Sequence, residues 1–157
     1  MKKTLFGIIA LLFCTLASAQ EFKINHGPYL QNMGSDEVTV YFTTSKEAFS
    51  WVEVTGDKWT KPQRFATMFA GQYNAYNKEN RVRISGLRPA TKYRYRLISK
   101  EITKYRPYSI VYGDNIATSW EEFTTLNPNQ KSLSFVLMND GHDNPKKVKS
   151  LLGKFSL

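Results

Sequence analysis

The chain has 157 residues, 14% of them aromatic, a formal charge of +9 and a single cysteine. That length suits one ordinary domain rather than two large ones. The recurrence of Val, Ile, Thr, Tyr and Phe argues for β structure around a packed core and against disorder. The cations are spread along the chain among Asp and Glu without a Lys/Arg block, which reads as a solvated basic surface and argues against a nucleic-acid partner.

Met1-Lys2-Lys3 is a short positive start, Leu5 to Leu16 is apolar apart from Gly7 and Thr15, and Ala17-Ser18-Ala19 supplies small residues where a signal peptidase reads. This is the form of a secretory signal spanning residues 1–19, cleaved after Ala19. The apolar run is too short for a membrane-spanning helix of about 20 residues, so no transmembrane anchor is expected after cleavage. Cys14 lies inside this leader with Phe13 before it, where an acylated cysteine calls for a small residue. The mature chain is expected in the periplasm or outside the cell, with no disulfide to hold it together.

Residues 20–126 read as short strands between turn signals, the pattern of an all-β sandwich. Gly27 to Asn32 suits an edge strand, where Pro28 costs no ladder hydrogen bond. Glu37 to Phe42 alternates, with Val38, Val40 and Phe42 on one face, and Trp51 to Val54 alternates again. Arg81 to Ile84 turns Val82 and Ile84 inward, and Glu121 to Thr125 closes the set with Phe123 inward. The spacing Leu87-x-Pro89-x-Thr91-x-Tyr93-x-Tyr95-Arg96 resembles the turn and strand of fibronectin type III domains. That resemblance implies a tyrosine corner, with the Tyr93 hydroxyl bonded back to nearby backbone, and makes Trp51 the core tryptophan of the third strand.

Two segments exceed a minimal sandwich: Lys58 to Asn80, with Tyr73 and Tyr76, and Lys104 to Ser119, with Tyr105, Tyr108 and Tyr112. They read as packing or intrachain domain contacts before a free ligand site, although tyrosine clusters also suit a sugar or a protein partner. Residues 127–131, polar and with Pro128, read as a linker.

Leu133 to Met138 is an almost continuous apolar run, as in a strand buried on both faces of a parallel sheet. Asp140-Gly141-His142 follows where such a strand ends, the place where open α/β sheets bind ligands. A carboxylate and an imidazole one residue apart can turn onto one ion, and this mixed donor pair suits Zn, Mn or Fe. Asn144 and Pro145 read as a helix start, with Val148, Leu151 and Leu152 as its apolar stripe. His26 reads as a surface residue.

The order of leader, Gly-Pro-Tyr-Leu-Gln strand, tyrosine-corner strand, polar linker and apolar strand ending in Asp-x-His resembles one family. It is the bacterial calcineurin-like metallophosphoesterases that carry a purple-acid-phosphatase-type N-terminal domain. The resemblance implies that residues 132–157 begin a truncated α/β metallophosphoesterase domain, with Asp140 and His142 as ligands of the first metal. It also implies phosphate-ester substrates, hydrolysis by metal-bound hydroxide, and a sandwich that contacts its own catalytic domain. The family's later motifs, Gly-Asp-x-x-Asp and Gly-Asn-His, do not occur here, and Gly113-Asp114-Asn115 precedes the first motif and lies within the sandwich. Two ligands hold no metal stably, so the 157 residues alone are expected to be inactive. The alternative is a complete small exported module whose tyrosine-rich loops contact glycan or protein.

Overall fold

The structure is a computed structural model that describes residues 20–56, 59–135 and 145–152, apart from the side chains of Lys147, Leu151 and Leu152. The leader read over residues 1–19 and the pair Asp140 and His142 lie outside the described residues. The chain divides into two units, one ending at Leu126 and one beginning at Asn127.

The first unit is a fibronectin III-like β-sandwich. Its strands are β1 (Ile24–Gln31), β2 (Glu37–Thr55), β3 (Gln63–Phe65), β4 (Met68–Phe69), β5 (Gln72–Tyr73), β6 (Asn77–Ser85), β7 (Lys92–Arg106), β8 (Ser109–Ala117) and β9 (Glu121–Thr124). All pairings are antiparallel.

Strand β2 organises the unit because it belongs to both layers. Its first half pairs with β1 on one side and β6 on the other, from Glu37↔Ser85 to Thr43↔Glu79. Its second half pairs with β7, from Ala48↔Glu101 to Thr55↔Arg94, and with β3 beyond. Between Thr43 and Ala48 the register with β6 shifts, and the strand changes layer there. Thr44 and Ser45 are buried at that corner. The Thr44 hydroxyl donates to the Lys46 carbonyl at 2.8 Å, supplying a local bond where the ladder is interrupted.

Side-chain alternation then fixes the core. Val38, Val40 and Phe42 from the first half of β2 meet Val52 and Val54 from its second half, with Val82 and Ile84 of β6 and Tyr93, Tyr95 and Leu97 of β7. Phe123 of β9 completes the cluster. Each fully buried aliphatic side chain contributes about 1.5–3 kcal/mol by leaving water.

Strand β1 pairs with β2 alone among the described residues, as an edge strand should, and His26 in it is exposed. Gly27 has a φ of +89°, and a Cβ there would stand 2.6 Å from the Tyr41 carbonyl oxygen. Only glycine lets the edge approach β2 so closely. Before it, Phe22 is buried and Ser45 ties the segment down: its hydroxyl donates to the Glu21 carbonyl at 2.8 Å and accepts from the Lys23 N–H at 2.9 Å.

The tyrosine corner implied by the Leu-x-Pro-x-Thr-x-Tyr spacing is formed: the Arg88 N–H donates to the Tyr93 hydroxyl at 2.9 Å. The Tyr93 ring stacks on Phe123 at 5.6 Å and meets Trp59 at 5.5 Å. A Cβ on Gly56 would come within 2.7 Å of that ring, so this turn also requires the absent side chain.

Trp51 does not take the place that the resemblance gave it. It is buried, yet it stands outside the core cluster. The even-numbered residues of β2 face inward, Val52 and Val54 among them, which sends Trp51 to the outer face. Trp59, from the turn after β2, instead packs against the core.

In the second unit the Asn127 side chain accepts the Asn129 N–H at 3.0 Å, and the Gln130 N–H donates to the Asn127 carbonyl. Residues 132–135 form no strand, and Leu133 and Phe135 are 67% and 77% exposed. The buried strand read over Leu133–Met138 is therefore not formed in the part described. A strand of this kind is stable only with neighbours on both sides. The helix α1 (Pro145–Leu152) begins at the proline, where the missing N–H costs nothing, and Lys149 lies in its last turn.

Tyr93→Phe keeps the ring but leaves the Arg88 N–H without its acceptor. The variant is expected to lose about 1–2 kcal/mol in urea denaturation at unchanged m. An unchanged midpoint would mean that the corner hydrogen bond contributes nothing.

Candidate functional site

The alternation that points Val52 and Val54 inward puts Phe49, Trp51 and Glu53 on the outer face. Register brings their neighbours: Phe49↔Lys100, Trp51↔Ile98 and Glu53↔Arg96 on β7, and Glu53↔Arg64 on β3. Paired residues of an antiparallel ladder share a face, so Lys100, Arg96 and Arg64 stand beside the two aromatics.

The two segments that exceed a minimal sandwich wall this face. Residues 63–77 supply β3, the β4–β5 hairpin and the approach to β6, and Tyr73 of β5 meets Phe49 at 5.6 Å. The second segment extends the β7–β8 hairpin and contributes Tyr112. Tyr76 of the first stacks on Tyr105 of the second at 5.0 Å and 18°. So the segments pack on each other. Together with β2 and β7 they also enclose a cleft of about 340 Å³, lined by Phe49, Trp51, Arg64, Tyr73, Lys100 and Tyr112, with Ala66 at its wall. Small-molecule sites start at about 300 Å³ and share this mixture of aromatic walls and few charges.

A continuous line of contacts runs along the face. The Trp120 ring lies under the Arg96 guanidinium at 4.7 Å. Arg96 donates to Glu53 Oε2 through Nε at 2.9 Å and Nη2 at 2.7 Å. Glu53 Oε1 accepts Arg64 Nε at 3.3 Å and Trp51 Nε1 at 3.4 Å. Arg64 in turn covers the Trp51 ring at 5.4 Å, and Phe49 adjoins that ring at 5.5 Å. Each cation–ring contact within about 6 Å is favourable by about 0.5–1 kcal/mol at exposed sites.

Glu53 is the electrostatic centre of this line. Burial pushes its carboxyl up, but the hydrogen bonds from Arg96 and Trp51 and the charges of Arg96 and Arg64 outweigh burial and hold it below the ordinary value of 4.5. Glu101, which pairs with Ala48 and so lies on the opposite side of β7 from Lys100, is also held low, by Lys46 at 2.9 Å and by the Asp114 N–H at 3.2 Å. Gly113-Asp114-Asn115 lies within β8 of the sandwich, where the sequence reading placed it. Tyr95 is pushed up by burial and by its hydrogen bond to Glu121 at 2.9 Å, so it stays neutral.

Lys100 forms no ion pair among the described residues, and its Nζ lies 5.8 Å from the Tyr112 ring. Arg64 meets Glu53 through Nε only, with a side chain 71% exposed. The cleft therefore offers two cations with capacity left over. The sequence reading missed Phe49, Arg64 and Lys100. The odd-numbered set Phe49-x-Trp51-x-Glu53 was the available signal, masked by assigning Trp51 to the core.

No group of three or more His, Cys, Asp or Glu side chains among the described residues could hold a metal ion. No helix among them is long and apolar enough to cross a membrane.

No family model and no curated protein matches the chain. Among solved structures it is similar to the sensor domain of the anti-sigma factor RsgI4 of Pseudobacteroides cellulosolvens. In the long form the identity is 16%, over 74% of this chain and 100% of that one, with a TM-score of 0.45. The solution structure of that domain gives 13%, over 80% and 97%, at 0.43. A fibronectin type III domain from the human KIAA0970 protein gives 16%, over 75% and 85%, at 0.40. These are likenesses of fold.

The depressed Glu53 carboxyl sets a sign for pH dependence. Its folded value lies below its unfolded one, so its contribution is present above about pH 4.5 and is lost as the pH falls through the folded value. Glu53→Gln is expected to lower stability by about 1–3 kcal/mol at pH 7. Thermal melts of both proteins from pH 7 to 3 should converge towards the acid end. A gap that stays constant or widens there would contradict the assignment.

Proposed function

We propose that the chain is the N-terminal part of an exported metal-dependent phosphoesterase, with the sandwich as its accessory domain. One observation carries this reading: Leu133 and Phe135, which open the apolar run before Asp140-Gly141-His142, stand exposed and unpaired, and a helix starts at Pro145. An apolar strand followed by a polar turn and a helix is the opening of an α/β unit, and it needs further strands to bury it. A sandwich in front, a polar linker and this opening make up the domain order of the calcineurin-like phosphoesterases that the sequence resembles.

In the complete enzyme Asp140 and His142 would supply two ligands, a carboxylate oxygen and an imidazole nitrogen, a donor pair that fits Zn, Mn or Fe. The metals would provide Lewis acidity and an activated water for phosphate-ester hydrolysis. The intact mass of the native protein tests the reading. It is expected to exceed that of residues 20–157 by on the order of tens of kilodaltons, the size of a catalytic domain. In that protein Asp140→Ala should lower the bound metal content as well as aryl-phosphate turnover. A native mass equal to residues 20–157 would overturn the reading, as would aryl-phosphate turnover by the 157-residue chain that Asp140→Ala abolishes.

A second reading, a small exported binding module, is favoured by a different observation, the aromatic and cationic cleft. It concerns the sandwich face and is independent of the chain beyond residue 126.

A further inference from the structure

The structure assigns to the outer face of β2 and β7 a binding site for an acidic saccharide, a sugar ring bearing a carboxylate. This rests on the binding reading of that face and stands apart from the phosphoesterase reading.

Three features select the ligand class. First, the walls are aromatic and only partly used. Tyr73 is 60% exposed and Tyr112 49% exposed, although both are anchored, one against Phe49 and the other beside Lys100. An exposed ring held in place offers its electron-rich face, and the C–H faces of a pyranose carry the complementary positive edge.

Second, the charge is one-sided. Arg64 and Lys100 line the cleft and no carboxylate does; Glu53 beside it is bonded by Arg96 Nε and Nη2 through Oε2 and takes only Nε of Arg64 through Oε1. Lys100 Nζ and the terminal nitrogens of Arg64 then remain to receive an anionic group, and a charge-assisted bond to a carboxylate is about twice as strong as a neutral one.

Third, the ring planes are inclined. Phe49 makes 41° with Trp51 and 54° with Tyr73. That gives a curved wall rather than two parallel plates. A flat base inserts best between parallel faces, whereas a puckered ring with apolar patches on both sides follows a curved wall. The inclination therefore favours a sugar acid over a nucleotide, which would satisfy the same cations.

Titration calorimetry of the chain with trigalacturonate, its neutral counterpart galactotriose, and AMP tests the site. Trigalacturonate is expected to bind with a Kd below about 1 mM, and galactotriose at least about tenfold more weakly. Lys100→Ala and Tyr73→Ala should each weaken the acidic ligand by about tenfold while lowering the melting temperature by no more than about 8 °C, since both side chains are mostly exposed and each gives up one ring contact. Affinity should also fall as salt is raised.

The saccharide assignment is overturned by any of three results: no binding of trigalacturonate at about 10 mM, equal binding of the neutral sugar, or tighter binding of AMP. It is also overturned if Lys100→Ala and Tyr73→Ala bind trigalacturonate as the parent does. Hydroxyl-radical footprinting of Tyr73 and Tyr112 in the native protein separates the two readings. Protection there without any response to trigalacturonate would leave the face a contact for protein and remove the sugar. Full reactivity without a response would remove the binding reading as well.

Discussion

Everything in the sandwich depends on one strand keeping its side-chain parity while it changes layer. Val38, Val40 and Phe42 before the corner and Val52 and Val54 after it join the same core, across a corner at which the ladder with β6 shifts register. A strand that slipped by one residue in its second half would bury Trp51 and Glu53 in the core and expel Val52 and Val54. Thr44 and Ser45 oppose that slip. Both are buried at the corner, and their hydroxyls are committed to the carbonyls of Lys46 and Glu21. The polar corner thus sets the phase of both halves.

The outer face is the other side of the same constraint. Once the even set is inward, Phe49, Trp51 and Glu53 have to lie outside, and a buried carboxylate needs cationic partners. The register with β7 and β3 supplies Arg96 and Arg64. The cleft is then not an addition to the fold. It is what the two inserted segments enclose when they stack on each other through Tyr76 and Tyr105.

The sequence made the sandwich legible because its signals are local. Alternation in residues 37–42 and 81–84 and the Leu-x-Pro-x-Thr-x-Tyr-x-Tyr spacing each fit within about ten residues, and each corresponds to a strand or corner in the structure. The site was less legible because it is assembled across five strands from residues 49 to 112. Local alternation marks faces but not which face becomes the core, and a tryptophan next to two valines invites the wrong choice. At residues 133–135 a reading from composition alone expected burial, whereas Leu133 and Phe135 are exposed and form no strand, because an apolar run does not say what would cover it. Asp140 and His142 stay a reading of spacing and chemistry.

The last strand of the sandwich has a consequence for assembly. β9 pairs with β7, Phe123 stacks on Tyr93, and Thr125 closes the corner by donating to the Arg88 carbonyl at 2.6 Å and accepting the Thr91 N–H at 3.0 Å. The Leu126 N–H then reaches back to the Gly34 carbonyl near the start of the unit. Partners so distant along the chain meet late, because the entropy of closing the intervening loop has to be met first. A chain that emerges N-terminus first from a ribosome lacks Phe123 in its core until β9 has been made. Up to that point Tyr93 lacks Phe123, the ring on which it stacks. The clasp at the end of the sandwich makes folding wait for completion of the unit.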